Sequence, residues 1–407
     1  MANPELENHK LPLLFTPMTL KSVTVRNRIV VAPMCQYHSE DGGPTDWQMM
    51  HLGRLATGGP GIIFGEENGI EARGRKTYKC AGIWNDKHIP MYRRLTDFIK
   101  EQDAVPAIQL GHAGRKASCH TATEDWRPLE DKDAADGMPP WQGLAPSALD
   151  QLPRRFIPKA MDQDDIHPVL DAWREATRRS MDAGYDILEI HGAHGYLIHQ
   201  FLSPVSNHRN DSYGGDRAGR MRFALEVAEI VRDAWPKEKP LFFRVSAVDG
   251  EGGIWDLDDT VALSQELKDR DIDLVDCSSG GISGESEMPM VPRIEKFQAG
   301  FAERVRREAA IMTIAVGGIT EAQQAEDILQ SGRADLVALA REFLWNADWA
   351  AHAAKELGAV DPYGQMPHEY GYRLRQREKQ REMPINQGGA VTQAAYAKIF
   401  GDRPQHG

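Results

Sequence analysis

Eight short apolar runs constrain this chain more than any other feature. They are "RIVVAPM" (28–34), "GIIFGEE" (61–67), "VPAIQLG" (105–111), "ILEIHGA" (187–193), "LFFRVSA" (241–247), "LVDCSSG" (274–280), "TIAVGGI" (313–319) and "LVALARE" (336–342). Most are near-continuous in Val, Ile and Leu, the mark of strands buried on both faces of a parallel sheet. Helix-like segments lie between them. "MYRRLTDFIKEQ" (91–102) sets Met91, Leu95, Phe98 and Ile99 on one stripe. "DAWREATRRSMDAG" (171–184) and "DDTVALSQELKDRD" (258–271) behave alike, with Gly184 as a C-terminal cap. Eight strands alternating with helices predict an α/β fold, a (β/α)8 TIM barrel, over residues 11–372. A doubly wound sheet fits less well, because no GxGxxG follows the first strand.

Two regions leave this rhythm. Residues 117–153, inserted after the third strand, are polar and rich in Pro and Trp. A stretch of that length is expected to be a loop over the barrel mouth, either functional or disordered. Residues 373–407 begin "RLRQREKQRE" and predict a C-terminal extension, helical at first and then disordered or an oligomer contact.

Formal charge is −12, from 48 basic and 60 acidic residues, and the two signs are interleaved. No basic stripe marks a nucleic-acid binder. Cys35, Cys80, Cys119 and Cys277 are far apart in sequence, which excludes a CxxC motif and fits a reducing compartment. The polar start "MANPELENHK" is no signal peptide, and no apolar run reaches the roughly 18 residues of a membrane span. A soluble cytoplasmic protein is expected, with no nucleic-acid or membrane partner.

A barrel places its chemistry at the C-terminal ends of its strands. Strand one ends in Pro33, Met34 and Cys35, with Tyr37 beyond. Strand three carries Gln109, and strand four delivers His191, His194 and Tyr196. Gly317 and Gly318 after strand seven, with Arg341 after strand eight, form a natural phosphate site; the alternative is two turn glycines and a surface ion pair. Arg244 lies inside strand five and needs an acceptor there, a carboxylate or an electron-rich ligand edge. The histidine pair admits three readings: zinc ligands lacking an obvious third, satisfied structural imidazoles, or two N–H donors on one oxygen that gains charge during reaction. In the last reading Tyr196 supplies a proton, and otherwise it packs under the loop. Cys35 is either a nucleophile with His194 as base or a buried inert thiol.

The stretches "LFTPMTLKSVTVRNRIVVAPMCQY", "IQLGHAGRKAS", "APSAL", "EIHGAHGYLIHQFLSPVSNHRNDSYGG", "RVSA", "DCSSG" and "GRADLVALAREFL" resemble the Old Yellow Enzyme family of FMN-dependent ene-reductases, in its cysteine-bearing, xenobiotic-reductase-like bacterial branch. The resemblance runs from about Leu14 to Tyr372. It implies FMN as cofactor and NADPH or NADH as reductant. By that resemblance Pro33, Met34 and Cys35 line the flavin, and Gln109 and Arg244 bind its pyrimidine end. Gly317, Gly318 and Arg341 hold its phosphate, and Ala340, where the family often has Gly, is a further cofactor-binding position. His191 and His194 grip the substrate carbonyl, Tyr196 donates the proton and Tyr37 is a second substrate contact. The implied reaction moves a hydride from flavin N5 to the β-carbon of an activated alkene, with no metal.

Glu67 is a departure: the family usually has a small residue there. Placed among the cofactor-binding positions, it either faces the flavin or turns to an arginine such as Arg73. The resemblance also implies a homo-oligomer, dimer or tetramer, with Tyr370, Tyr372 and Arg373 as candidates to enter a neighbouring site. Two rivals from other classes stand beside the ene-reductase: a metal-dependent barrel hydrolase using His191 and His194, and an FMN- or phosphate-binding barrel without turnover. A dienoyl-CoA-type reductase would need a cysteine cluster after strand eight and a second nucleotide-binding domain, and is set aside.

Overall fold

The computed structural model describes residues 11–150, 156–250, 254–282, 291–382 and 398. Its eight core strands are β1 (Ile29–Val31), β2 (Ile62–Gly69), β3 (Val105–Gly111), β4 (Ile187–Gly192), β5 (Leu241–Ser246), β6 (Leu274–Ser278), β7 (Met312–Val316) and β8 (Leu336–Leu339). They close into one barrel in chain order, every pair parallel. All eight apolar runs are therefore barrel strands, and the expected (β/α)8 fold is the one found.

Outer helices complete the units: α1 (Asp46–Ala56), α2 (Ile89–Glu101), α3 (Gln163–Asp182), α4 (Arg217–Ala234), α5 (Leu257–Lys268), α6 (Ala299–Glu308), α7 (Ala322–Gln330) and α8 (Trp349–Glu356). Two expected helices need new bounds. The α3 helix begins eight residues before the 171–184 stripe, because the Asp162 side chain accepts from the Asp165 N–H at 3.0 Å and caps it, and Pro168 is tolerated close behind that start. The α5 helix stops at Lys268 rather than 271, and Asp271 has a positive φ of 59°. Gly184, at φ 85°, follows the end of α3 as expected of a left-handed cap.

Side chains alternate across each strand, so the inward positions form layers. The lowest layers are apolar: Val30, Ile62, Ala107, Ile187, Phe242, Leu274, Ile314 and Leu336 share one cluster with Leu20 and Val25. Those last two come from an antiparallel hairpin, Met18–Leu20 with Val23–Val25, that plugs the N-terminal end of the barrel. Outward positions such as Leu188, Phe243, Val275 and Val337 pack against the helices in a second cluster.

Residues 117–150 carry anchors rather than an unstructured excursion. Leu129 is buried, Arg127 pairs with Asp133 at 3.1 Å, and the Trp141 indole donates to the Arg73 carbonyl at 2.9 Å. The Trp126 ring meets the Tyr37 ring edge-on at 5.8 Å, which brings this segment over the mouth. A further helix, α9 (His368–Glu382), crosses residues 372 and 373, and Glu378 ties it to Lys355 of α8 at 2.8 Å. The remainder of the expected extension, apart from Lys398, lies outside the described residues, as do residues 283–290 of the loop after β6.

Phe242 sits at the centre of the lowest inner layer with no exposed surface. Phe242→Ala is expected to cost roughly 3–5 kcal/mol, read as a lower urea midpoint at unchanged slope.

Candidate active site

Moving up three adjacent strands, the inward side chains turn from apolar to polar. On β4 the inward series is Ile187, Glu189, His191; on β5 it is Phe242, Arg244, Ser246; on β6 it is Leu274, Asp276, Ser278. Register aligns these layers, since Arg244 is the backbone partner of both His191 and Asp276. The acceptor that a buried Arg244 requires is a carboxylate: its Nε lies 3.1 Å from Asp276 Oδ2, an ion pair without hydrogen-bond alignment. Gln109, the inward residue of β3, donates to Glu189 Oε1 at 2.8 Å. One guanidinium thus faces two carboxylates. Burial, with the Asp276 charge beside it, pushes Glu189 far above the usual carboxylate range, and burial pushes Asp276 up too.

The turn after β4 rests on the next layer. The His194 N–H donates to Ser246 Oγ at 2.9 Å, and His194 Nε2 lies 2.7 Å from Ser278 Oγ. His191, His194 and Tyr196 then form one cluster, with ring centroids 5.0 Å apart for the two imidazoles and 5.1 Å for His191 and Tyr196. Burial first, and neighbouring cations such as Arg244 second, hold both imidazoles well below their ordinary pKa. At neutral pH they are uncharged. Burial also pushes the Tyr196 phenol up, so it keeps its proton.

His199 supports this turn from behind. Its Nδ1 accepts from the Gly195 N–H and its Nε2 donates to Asp249, both at 2.9 Å. The Lys116 ammonium reaches the carbonyls of His194 and Gly281 at 2.6 and 2.5 Å and so joins the turns after β4 and β6.

A cavity of about 840 Å³ opens beside His194 and runs along the ends of β6, β7 and β8. Gly317, Gly318, Ala340 and Arg341 line it, together with residues 278–282. Gly317 and Gly318 have φ of 96° and 68°, and a Cβ at Gly317 would meet Gln298 and Phe297. The surface ion pair entertained for Arg341 is absent: among the described residues it has no ion-pair partner. His194 belongs both to this cavity and to the aromatic cluster, so the two halves of the site meet there.

Pro33, Met34, Cys35 and Tyr37 follow β1, where the Met34 N–H donates to the Gly65 carbonyl at 3.0 Å. Cys35 is only half-buried as a residue, yet burial pushes its thiol up to about 12, so it is no thiolate nucleophile at neutral pH. Tyr37 holds a left-handed backbone, φ 58°, against Trp126. Among the described residues no three His, Cys, Asp or Glu side chains converge as metal ligands would.

Residues 13–359 match the model of the NADH:flavin oxidoreductase / NADH oxidase family. The NADPH dehydrogenase of Geobacillus sp. (strain WCH70) is 42% identical over 365 residues, which cover 89% of this chain and 99% of that protein. The chain belongs to the Old Yellow Enzyme family. It is an oxidoreductase, of a family that works with flavin and NAD(P)H. The NADPH dehydrogenase of Bacillus subtilis (strain 168) is 39% identical, over 86% of this chain and 96% of that protein. A solved structure of morphinone reductase in complex with tetrahydroNAD is similar in fold, with a TM-score of 0.69 at 26% identity, over 86% of this chain and 92% of that one.

Within this family member, Glu67 does not bind Arg73. A bulge in β2 between Phe64 and Glu67 re-aims the strand end, and the Glu67 carboxylate pairs with Lys76, while Arg73 pairs with Glu71 at 2.7 Å. Lys76, Lys116, Glu189, His199, Ser246, Asp276 and Ser278 were not singled out by the sequence. For Glu189, Ser246, Asp276 and Ser278 a signal exists: polar residues at alternate positions in "LEIH", "FRVS" and "VDCS".

Because both imidazoles are buried uncharged, unfolding lets them take up protons below the ordinary histidine range. These two groups therefore contribute a loss of stability as pH falls below about 6.5, against the opposite contribution of the raised Glu189 and Asp276 carboxyls, and the stability advantage of wild type over His191→Asn is expected to shrink across that range. Urea unfolding of both proteins at several pH values reads the difference.

Proposed function

We infer that the protein is an FMN-dependent ene-reductase: NAD(P)H reduces the flavin, which then reduces the alkene of an α,β-unsaturated carbonyl or similar activated substrate. The observation that carries this reading is the cluster of two uncharged imidazoles and one protonated phenol at the end of β4. Two neutral donors can polarise a carbonyl without a formal charge that would bind the ground state equally well. The adjacent phenol is the natural source of a proton for the carbon beside that carbonyl.

The residues present fit FMN. Gly317 and Gly318 leave the backbone open to a phosphate, and Arg341 offers it a guanidinium with no ion-pair partner among the described residues. Deeper in the barrel, His191 Nδ1, Glu189 Oε2, Asp276 Oδ1 and Arg244 Nε are buried without a hydrogen bond among the described residues, as in a site built to receive polar groups of a ligand. Gln109 and Arg244 would hold the pyrimidine end of the ring, with Pro33, Met34, Cys35 and Glu67 along its edge. When bound, FMN supplies the hydride. His191 and His194 orient the carbonyl oxygen and stabilise the negative charge it gains, Tyr196 delivers its proton, and Tyr37 closes the substrate side under the 117–150 segment. A soluble, cytoplasmic homo-oligomer acting on small alkenes is the setting this reading implies.

An anaerobic titration tests it. The purified holoenzyme is expected to show a flavin spectrum that bleaches with NADPH and returns, without oxygen, on adding 2-cyclohexenone. Bleaching without return would leave a flavin barrel that does not reduce enones. Tyr196→Phe should slow the return about a hundredfold or more while bleaching stays close to wild type; equal losses in both phases would make Tyr196 structural. His191→Ala should weaken enone binding about tenfold or more, seen as a spectral titration of the oxidised enzyme.

A further inference from the structure

In the buried ion pair between Glu67 and Lys76, the ammonium has no part in the reaction as described so far. The two side chains are 6% and 4% exposed. Burying both charges costs desolvation that an apolar pair of similar size would avoid, so stability alone does not account for them. The surrounding structure is nevertheless shaped for the pair. A Cβ at Gly111 would fall on the Glu67 carboxylate, so this glycine leaves the carboxylate its space. The Lys76 carbonyl accepts from the Cys119 N–H at 3.0 Å, which fixes the backbone that carries the ammonium.

That ammonium lies 4.9 Å from the centre of the Tyr196 ring. We propose that Lys76, charge-balanced by Glu67, stabilises the phenolate that Tyr196 becomes on giving up its proton, and so tunes the proton-transfer step. This rests on the reading of Tyr196 as proton donor. In that step the Tyr196 O–H bond breaks and its proton forms the new C–H bond beside the carbonyl. The electron pair it meets is that of the alkene already carrying the hydride, and water returns a proton to the phenolate afterwards. A phenolate in a buried site is costly, and a fixed cation beside it lowers that cost without reorganisation.

The other groups around the phenol do not displace Lys76 from this role. His191 packs on Tyr196 but is uncharged, and Lys116, 5.3 Å from the ring centre, is directed at two carbonyls. Cys35, Cys80 and Tyr37 also lie within reach, each pushed toward its neutral form by burial. Glu66, next to Glu67, is likewise raised by burial and turns to Gln48 and the Gln36 N–H. Lys76 itself is drawn down by burial, yet the Glu67 carboxylate paired with it holds it above its ordinary value, so it stays charged.

The test uses holoenzyme variants with opposite expected signs. Lys76→Met should slow alkene reduction roughly tenfold and move the alkaline limb of its pH profile, where Tyr196 is lost as an acid, to higher pH. Glu67→Gln leaves the ammonium uncompensated and should move that limb to lower pH. Lys76→Met strands a buried carboxylate and risks misfolding. The double variant Glu67→Gln/Lys76→Met does not, and its limb should fall between wild type and Lys76→Met. A readout independent of turnover is the ionisation of bound 4-nitrophenol, followed by its colour: easier in Glu67→Gln, harder in Lys76→Met. Shifts of the same sign in both single variants, or none in either, would make the pair structural and overturn the proposal. Tyr196→Phe run alongside separates the two failures: an unslowed alkene step there removes the proton-donor reading as well.

Discussion

A guanidinium inside a closed parallel barrel is the interaction on which the site depends. Arg244 occupies an inward position of β5 with a backbone partner on each side, His191 and Asp276. Strand register leaves it nowhere to go, so its charge must be answered from within the barrel. Asp276 answers it, and Glu189, competing for the same cation, is driven toward its neutral form. The same positive charge reaches upward to His191 and His194 and, added to their burial, keeps both uncharged. The protonation state of the mouth is thus set from one layer beneath it: under the proposed function, neutral imidazoles would polarise an oxygen, whereas imidazolium would bind and hold an anion.

The polar layers are bought with apolar ones below. The hairpin plug and the inward Ile, Leu and Phe side chains form a dry base, while the outward faces of the same strands pack against the helices. Polar groups are concentrated where the strands end. The rigidity of that base is what allows His194, at a strained positive φ of 59°, to be held by two serines and a lysine rather than by its own preference.

Much of this was legible in the sequence. All eight strands could be placed, because strands buried on both faces leave continuous apolar runs, and the histidines, Tyr196, Arg244 and the glycine–arginine pair followed from where a barrel puts its strand ends. What escaped was of two kinds. Glu189, Asp276, Ser246 and Ser278 sit at alternate positions in three successive strands, a pattern visible only after the strands are aligned in register. Lys76 had no local signal at all. It stands in an ordinary polar turn, "GRKTYK", and its partner is set by the β2 bulge and by the space at Gly111, both properties of the assembled barrel. For the same reason Arg73, nearer to Glu67 in sequence, was the wrong partner to expect.

The distribution of cations around the mouth reconciles the site with the acidity of the whole chain. A formal charge of −12 repels a nicotinamide dinucleotide at long range. Salt screens that repulsion beyond roughly 8–10 Å, and within the cleft the local charges decide. There Arg244 is answered by Asp276, Lys76 is cancelled by Glu67, and Arg341 alone of these three stands at the cavity edge without an ion-pair partner among the described residues. The cations deep in the barrel are neutralised where they set protonation states, and Arg341 at the rim is left available where, under the proposed function, an anionic phosphate would arrive. Net charge therefore says little about which ligands this barrel accepts, and the pairing of individual charges says much more.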